Sequence, residues 1–229
     1  MDEKSILIIG ASRGIGLGLA REFAARGWQV FASRRSSAPE LDEAAAASNG
    51  QITVVTADVT DEATIKALGE QIGNGALDAL VLNAGVYGPD DQSLAGLDRE
   101  SLADILMTNA IGPAKAALTL MALLHGGARI GMMSSKMGSI DDSSGGANHY
   151  RISKVAQNML ARSVFEQHAS ERGISVLSLH PGWVQTEMGG PNAPVSVEQS
   201  VRGLADILEE ERATPVHAFL AFDGSTVAW

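Results

Sequence analysis

Tyr150 and Lys154 stand four residues apart in the stretch NHYRISK (148–154), in a chain with two tyrosines. Residues at i and i+4 share one face of a helix, so a phenol and an ammonium can enter the same pocket. Tyrosine ordinarily keeps its proton to about pH 10, and a nearby ammonium favours phenolate. Lys154 is therefore expected to lower the pKa of Tyr150 and make it a usable acid. In isolation the same spacing describes an ordinary surface helix pair, so other residues must decide.

The run ILIIG (6–10) leads into GASRGIG, residues 10–16. Gly10 permits a tight turn. Gly14 and Gly16 let the backbone approach a ligand and the sheet. A helix opening near Ile15 aims its N–H groups and positive dipole end at the same spot, which suits a pyrophosphate. A strand, this turn and a helix in succession form a dinucleotide fingerprint. The bland alternative is a tight β–α turn.

The next strand selects the dinucleotide. An NAD site ordinarily carries an acid there for the ribose 2′-OH. Here the strand ends Ala32-Ser33-Arg34-Arg35, and Arg13 lies in the glycine turn. Ser33 with Arg34 and Arg13 suits a 2′-phosphate, which guanidinium binds bidentately, so NADP is the expected cofactor. The alternative is that Arg34 and Arg35 are solvated charges, with NAD as the rival cofactor.

Asn109 carries a backbone argument. Pro113 follows four residues later and has no N–H, so the Asn109 carbonyl loses its usual helical partner. A buried carbonyl must find another donor, often water. Pro113 is expected both to kink the helix and to release this carbonyl.

These residues need a scaffold, and the apolar runs supply one. Strands are expected at 6–10, 28–33, 51–59, 77–85, 128–135, 174–182 and 216–222. Helices are expected at 15–26, 61–72, 99–124, 149–172 and 196–211. Residues 36–50 read as a loop with a short exposed helix. Alternating continuous apolar strands and helices imply an α/β fold: a single doubly wound Rossmann-type domain over 1–229, with a seven-stranded parallel sheet and helices on both faces.

Composition narrows the chemistry. The chain has 229 residues, enough for one sizeable core. Its net charge of -10 argues against a nucleic-acid or anionic-membrane surface. It has no cysteine, which removes thiolate metal sites and cysteine nucleophiles. The five histidines are scattered and read as satisfied or solvated rather than as metal ligands. The start MDEKSILIIG lacks the basic and long apolar regions of a signal peptide, and AALTLMALL (116–124) is too short to span a bilayer. A cytoplasmic protein is expected. No GxSxG elbow exists for a hydrolase, and Ser135-Lys136 point to opposite faces of a strand.

Taken together, the chain resembles the short-chain dehydrogenase/reductase family over essentially its whole length. The likeness rests on Gly10-Ala11-Ser12-Arg13-Gly14-Ile15-Gly16, Asp58-Val59, Asn83-Ala84-Gly85, Asn109, Ser135, Tyr150 with Lys154, and Pro181-Gly182. SSKMGSI, YRISK, HPGWVQTEMGG and FDGSTVAW are similar to the branch of C-factor-type proteins and sniffer-type carbonyl reductases.

The resemblance implies that Ser12 belongs to the phosphate turn, that Asp58 and Val59 hold the adenine, and that Asn83, Ala84 and Gly85 line the central cofactor wall. It implies Pro181, Gly182, Val184 and Thr186 at the nicotinamide end. Lys154 would also bind the nicotinamide ribose, Ser135 would bond the substrate oxygen, and Asn109 would anchor a proton relay through water to Lys154. Ser134 and Ser139 are the fallback serines. The implied reaction is reduction of a small-molecule aldehyde, ketone or quinone by hydride transfer, with Tyr150 as acid. The rival is a cofactor-binding regulator or cell–cell signal without meaningful turnover.

Small and apolar residues on 99–124 and 149–172 suggest a helical interface, which the family commonly uses in a homodimer or homotetramer. Met137 and Met188 are candidates for an adaptable apolar wall. Trp183 either lines the substrate mouth or only packs there. EMGGPNAPV is a short cover where family members often insert more, which predicts an open pocket and broad selectivity.

Overall fold

A computed structural model describes residues 4–74 and 77–229. Residues 1–3 and 75–76, part of the domain expected over 1–229, lie outside the described residues. Seven strands form one parallel sheet: β1 (Ser5–Ile9), β2 (Gln29–Arg34), β3 (Ile52–Thr56), β4 (Leu77–Leu82), β5 (Leu124–Met133), β6 (Ser175–His180) and β7 (His217–Ala221). Their spatial order is β3-β2-β1-β4-β5-β6-β7, with every neighbouring pair parallel. The order reverses between β1 and β4. A crevice opens beyond the carboxyl ends of strands at such a switch point.

The helices are α1 (Gly14–Ala25), α2 (Pro39–Ala47), α3 (Glu62–Ile72), α4 (Arg99–Leu106), α5 (Gly112–Thr119), α6 (Asn148–Val164) and α7 (Val197–Glu209). Alternate β1 side chains build the two layers. Ile6 and Ile8 pack with Leu19 and Phe23 of α1 and Leu204 and Leu208 of α7. Leu7 and Ile9 pack with Leu68 of α3, Ala117 of α5 and Ala161 of α6. A strand buried on both faces needs apolar residues without alternation, and SILII supplies them.

Two helix expectations change. The segment 99–124 is not one helix. α4 gives way to a π turn at Met107–Ile111, α5 follows, and the strand begins already at Leu124. The Gly112 N–H donates to the Met107 carbonyl, five residues back. Pro113 stands in the first turn of α5, where its missing N–H does least harm. Within 36–50, α2 is longer than expected and seats Leu41 and Ala44 in the core, so this helix is packed rather than simply exposed.

Candidate active site

The glycine turn lies at the sheet's switch point. Gly10 has φ +91, a left-handed conformation, and a Cβ there would come within 2.7 Å of the Ala84 nitrogen. The Asn83 amide donates to the Gly10 carbonyl at 2.7 Å, binding the β4 end to the turn. A Cβ on Gly16 would collide with that same carbonyl oxygen. At the start of α1, Arg13 makes no side-chain cap bond and no acid occupies the first turn. The leading N–H groups of α1 therefore face the crevice beside Ser12, Gly14 and Ile15 with no acidic side chain competing. A backbone cradle too tight for side chains, at an uncapped helix N-terminus, fits a dinucleotide phosphate.

The basic cluster is more constrained than its sequence suggests. Ser33 is fully buried, and its hydroxyl accepts the Gly10 N–H at 3.0 Å. It therefore braces the turn. Arg34 donates to Asp42 of α2 at 2.6 Å, Arg35 lies 3.7 Å from Asp58, and Arg13 pairs with Glu187 at 2.7 Å on the exposed rim. Burial pushes the Asp58 carboxyl up, but Thr60's backbone and side-chain hydrogen bonds and Arg35 outweigh it and hold the group below its usual range. Val59 follows, its carbonyl close against Gly112.

On the far side of the turn, Thr186 packs over Gly14, its methyl 3.3 Å from a Cβ built there. The segment from Pro181 to Thr186 is knit into the core. The Pro181 carbonyl accepts the buried Ser200 hydroxyl at 2.7 Å, Gly182 has φ +89, and Val184 bridges Val195. Trp183 is exposed, with its indole N–H donating to Gly189 at 2.7 Å. Met188 is exposed and Met137 half-buried.

α6 brings the catalytic candidates together. Gln92, which the sequence did not flag, braces its start by accepting the Tyr150 N–H on Oε1 and the Asn148 N–H on its carbonyl. The Ser135 side chain lies beside the Tyr150 phenol and favours its ionised form. Burial is the largest influence on Tyr150 and Ser135 opposes it; with Tyr87 adding to the burial effect, the phenol is pushed up to about 12. Of the three candidate serines, Ser135 alone makes this contact. Ser134 donates to Asn158 at 2.7 Å, and Ser139 accepts the Asp142 N–H at 3.1 Å.

Lys154 is 4% exposed, and burial pushes its amine down to about 7. Its Nζ donates to the Met133 carbonyl at 2.7 Å and to Gln157 at 3.0 Å, and lies 5.6 Å from the Tyr150 ring centre. The expected lowering of the Tyr150 pKa by Lys154 is therefore not what the structure shows. Desolvation dominates both groups, and the ammonium is directed at acceptors other than the phenol.

Asn109 enters through its side chain. It is fully buried, accepts the Val86 N–H at 2.8 Å, and donates to the Val86 carbonyl at 2.8 Å and the Ser153 hydroxyl at 3.0 Å. Ser153 in turn donates to the Tyr150 carbonyl at 2.7 Å. A Cβ built on Gly85 would lie 3.2 Å from Asn109 Oδ1 and 3.7 Å from Lys154 Nζ, so these groups share one side of the pocket. Ser153 was also missed from sequence, although YRISK places it one residue before the lysine. Tyr87 was missed as well. Its ring centre is 5.1 Å from that of Tyr150.

The histidine expectation also needs correction. Both ring nitrogens of His149 and His217, and Nδ1 of His180, are buried without a partner. Burial takes His180 and His217 down to about 4. Among the described residues no group of three or more His, Cys, Asp or Glu could hold a metal ion. No helix there is long and apolar enough to cross a membrane.

The family model described as short chain dehydrogenase matches residues 4–194. The chain belongs to the short-chain dehydrogenase family. The 1-hydroxy-2-glutathionyl-2-methyl-3-butene dehydrogenase of Rhodococcus sp. (strain AD45) is 32% identical over 98% of this chain and 99% of its own. The C-signal of Myxococcus xanthus is 36% identical over 72% of this chain and 100% of its own. A carbonyl reductase from Pseudomonas aeruginosa PAO1, crystallised in complex with NADP, superimposes with a TM-score of 0.91 at 39% identity, covering 100% of both chains. As a short-chain dehydrogenase the chain is an oxidoreductase of Rossmann architecture.

Proposed function

We propose that this short-chain dehydrogenase is an NADP-dependent carbonyl reductase, converting an aldehyde, ketone or quinone to an alcohol with Tyr150 as general acid. The observation that carries the reading is the convergence of Tyr150, Ser135 and a buried Lys154, whose Nζ lies 5.6 Å from the Tyr150 ring centre, beside an uncapped glycine turn. The reduced cofactor, NADPH, would be held along the turn by Ser12, Arg13, Gly14, Ile15 and Gly16 with Arg34 at the 2′-phosphate, and would supply the hydride. Asp58 and Val59 flank the adenine. Asn83, Ala84 and Gly85 line the middle, and Pro181, Gly182, Val184 and Thr186 flank the nicotinamide end. Ser33 acts through the turn it braces.

The chain's own part is to hold the carbonyl and deliver a proton. Ser135 hydrogen-bonds the carbonyl oxygen and steadies the negative charge that develops on it. Tyr150 passes its O–H proton to that oxygen. Burial keeps the phenol protonated at neutral pH, the form that can donate to the carbonyl oxygen. Lys154 holds the ribose and is the first carrier for returning a proton to Tyr150. Asn109 anchors the relay from the π turn, where its side chain is bonded to Val86 and Ser153. The half-exposed Tyr87 face beside Tyr150 and the short 187–195 segment support an open site for varied carbonyls.

The test is NADPH oxidation with activated aldehydes, ketones and quinones, run beside NADH and beside Tyr150→Phe. Turnover with NADPH that disappears in the variant is the expected result. Tight NADPH binding with no turnover on any carbonyl would sink the reductase. That result would favour the second reading, a cofactor-binding signal, for which the likeness to C-signal is the supporting observation.

The exposed apolar residues Met107, Ile111 and Leu118 beside α5, and Ile152 and Met159 on α6, are the face proposed for a homodimer or homotetramer. Ala114, Ala116 and Ala117 of α5 are core residues and do not belong to this face. Sedimentation of the protein and of Met159→Glu tests it, and a monomeric wild-type protein would refute it.

A further inference from the structure

Gln157 lies one turn beyond Lys154 on α6. Its side chain is fully buried, and its amide oxygen accepts from Lys154 Nζ at 3.0 Å. Its amide nitrogen has no hydrogen-bond partner among the described residues. A glutamine with part of its hydrogen-bonding capacity unmet in a core is a worse packing choice than a leucine of similar size. What the polar residue adds here is an acceptor for a buried ammonium. We propose that Gln157 is a positioning residue for Lys154, its amide oxygen holding the lysine nitrogen beneath Tyr150 and supporting its charged form.

Lys154 has two acceptors of different kinds. The Met133 carbonyl is main chain, set by the end of β5, and no substitution removes it. Gln157 is the acceptor that a side chain controls. The other groups around the lysine are the Tyr150 ring from α6, Gly85 beyond β4, Asn109 from the π turn, and Gly138, where an added Cβ would lie 2.9 Å from the Lys154 Cβ. Tyr150 is the titratable one among them, and no charged side chain contributes to the lysine's shift. Burial disfavours the ammonium, and an acceptor bonded to it works the other way. Removing that acceptor must make the lysine easier to deprotonate, whereas a carboxylate in its place must make it harder.

The catalytic meaning of this contact rests on the role proposed for Lys154, but the contact itself can be measured without turnover. The experiment titrates lysine Cε signals by NMR in the whole protein, with Lys154→Met identifying the resonance. Gln157→Leu should move the Lys154 titration down by about one pH unit, the effect of losing one hydrogen bond to a charged group. Gln157→Glu should move it up. An unshifted Lys154 in a folded Gln157→Leu protein, or shifts of the same sign in both variants, overturns the inference. If Gln157→Leu does not fold, Gln157→Glu decides, and no upward movement there overturns it equally. The pH profile of kcat/KM should follow the lysine. A lysine that moves while the profile stays fixed supports the Gln157 contact and refutes the catalytic role of Lys154.

Discussion

Val86 and Asn109 exchange two hydrogen bonds: the Val86 N–H donates to the asparagine Oδ1, and the asparagine Nδ2 donates to the Val86 carbonyl, each at 2.8 Å. This side chain takes over strand-like pairing where β4 has ended, and the third bond to Ser153 ties the segment to α6. Asn109→Leu removes both partners of the Val86 main chain and the buried bond to Ser153. It should lower stability by about 2–4 kcal/mol in a denaturant melt. Turnover should fall too, because Tyr87 and Gly85 lose their anchor.

The serine assignment predicts a contrast. Ser135→Ala and Tyr150→Phe should each lower kcat by about a hundredfold or more while leaving NADPH affinity within a few-fold. Ser134→Ala removes a buried bond to Asn158 and should act mainly on the melting temperature. If Ser134→Ala abolishes turnover in a fully stable protein, the two serines have been assigned the wrong way round.

Arg34 is held by Asp42, so the 2′-phosphate must compete with a carboxylate for it. Arg34→Ala should weaken NADPH binding by about tenfold or more, the loss of a charge-assisted contact, with NADH little affected. Asp42→Asn should strengthen NADPH binding by a few-fold. Calorimetric titration of both nucleotides checks the pair.

The lysine makes stability depend on pH. Its folded value of about 7 lies below the ordinary 10.5, so between these limits the unfolded chain binds the extra proton. The penalty is complete below about pH 7 and vanishes as pH rises to about 10.5. Relative to Lys154→Met, the wild-type protein should therefore gain stability steadily across that window. Paired thermal melts from about pH 6.5 to about pH 9.5 would show this, and parallel curves would contradict it.

Tyr87 offers a half-exposed ring beside the proposed acid. Tyr87→Ala should raise KM for planar aromatic carbonyls by roughly tenfold, while short aliphatic aldehydes change little. Steady-state rates on both substrate types distinguish this from general damage to the site.

The parts legible in sequence were those carried by local chemistry. Glycines after an apolar strand have few other uses than a tight turn at a helix start. Tyr150 and Lys154 share a face by helix geometry alone, and unbroken apolar strands demanded cover on both sides. Tertiary structure decided which neighbours those residues meet. The choice among Ser134, Ser135 and Ser139 could not be resolved along the chain. They are the same residue type, and they differ only in what the chain beyond β5 points them toward.

Tertiary contacts likewise settled the features that spacing does not encode. Ser33 was turned inward by the Gly10 N–H, and Arg34 was drawn to α2. The helix expected over 99–124 was divided by a π turn whose bonding no periodicity records. Lys154 was a charge next to tyrosine in sequence; in the fold it is a desolvated amine bonded to Met133 and Gln157. The sequence by itself determined the class of fold and the set of reactive groups, since both follow from residue type and short-range period. The direction of each side chain, and the protonation that follows from it, were decided by long-range packing, because burial and hydrogen-bond partners exist only once distant segments meet.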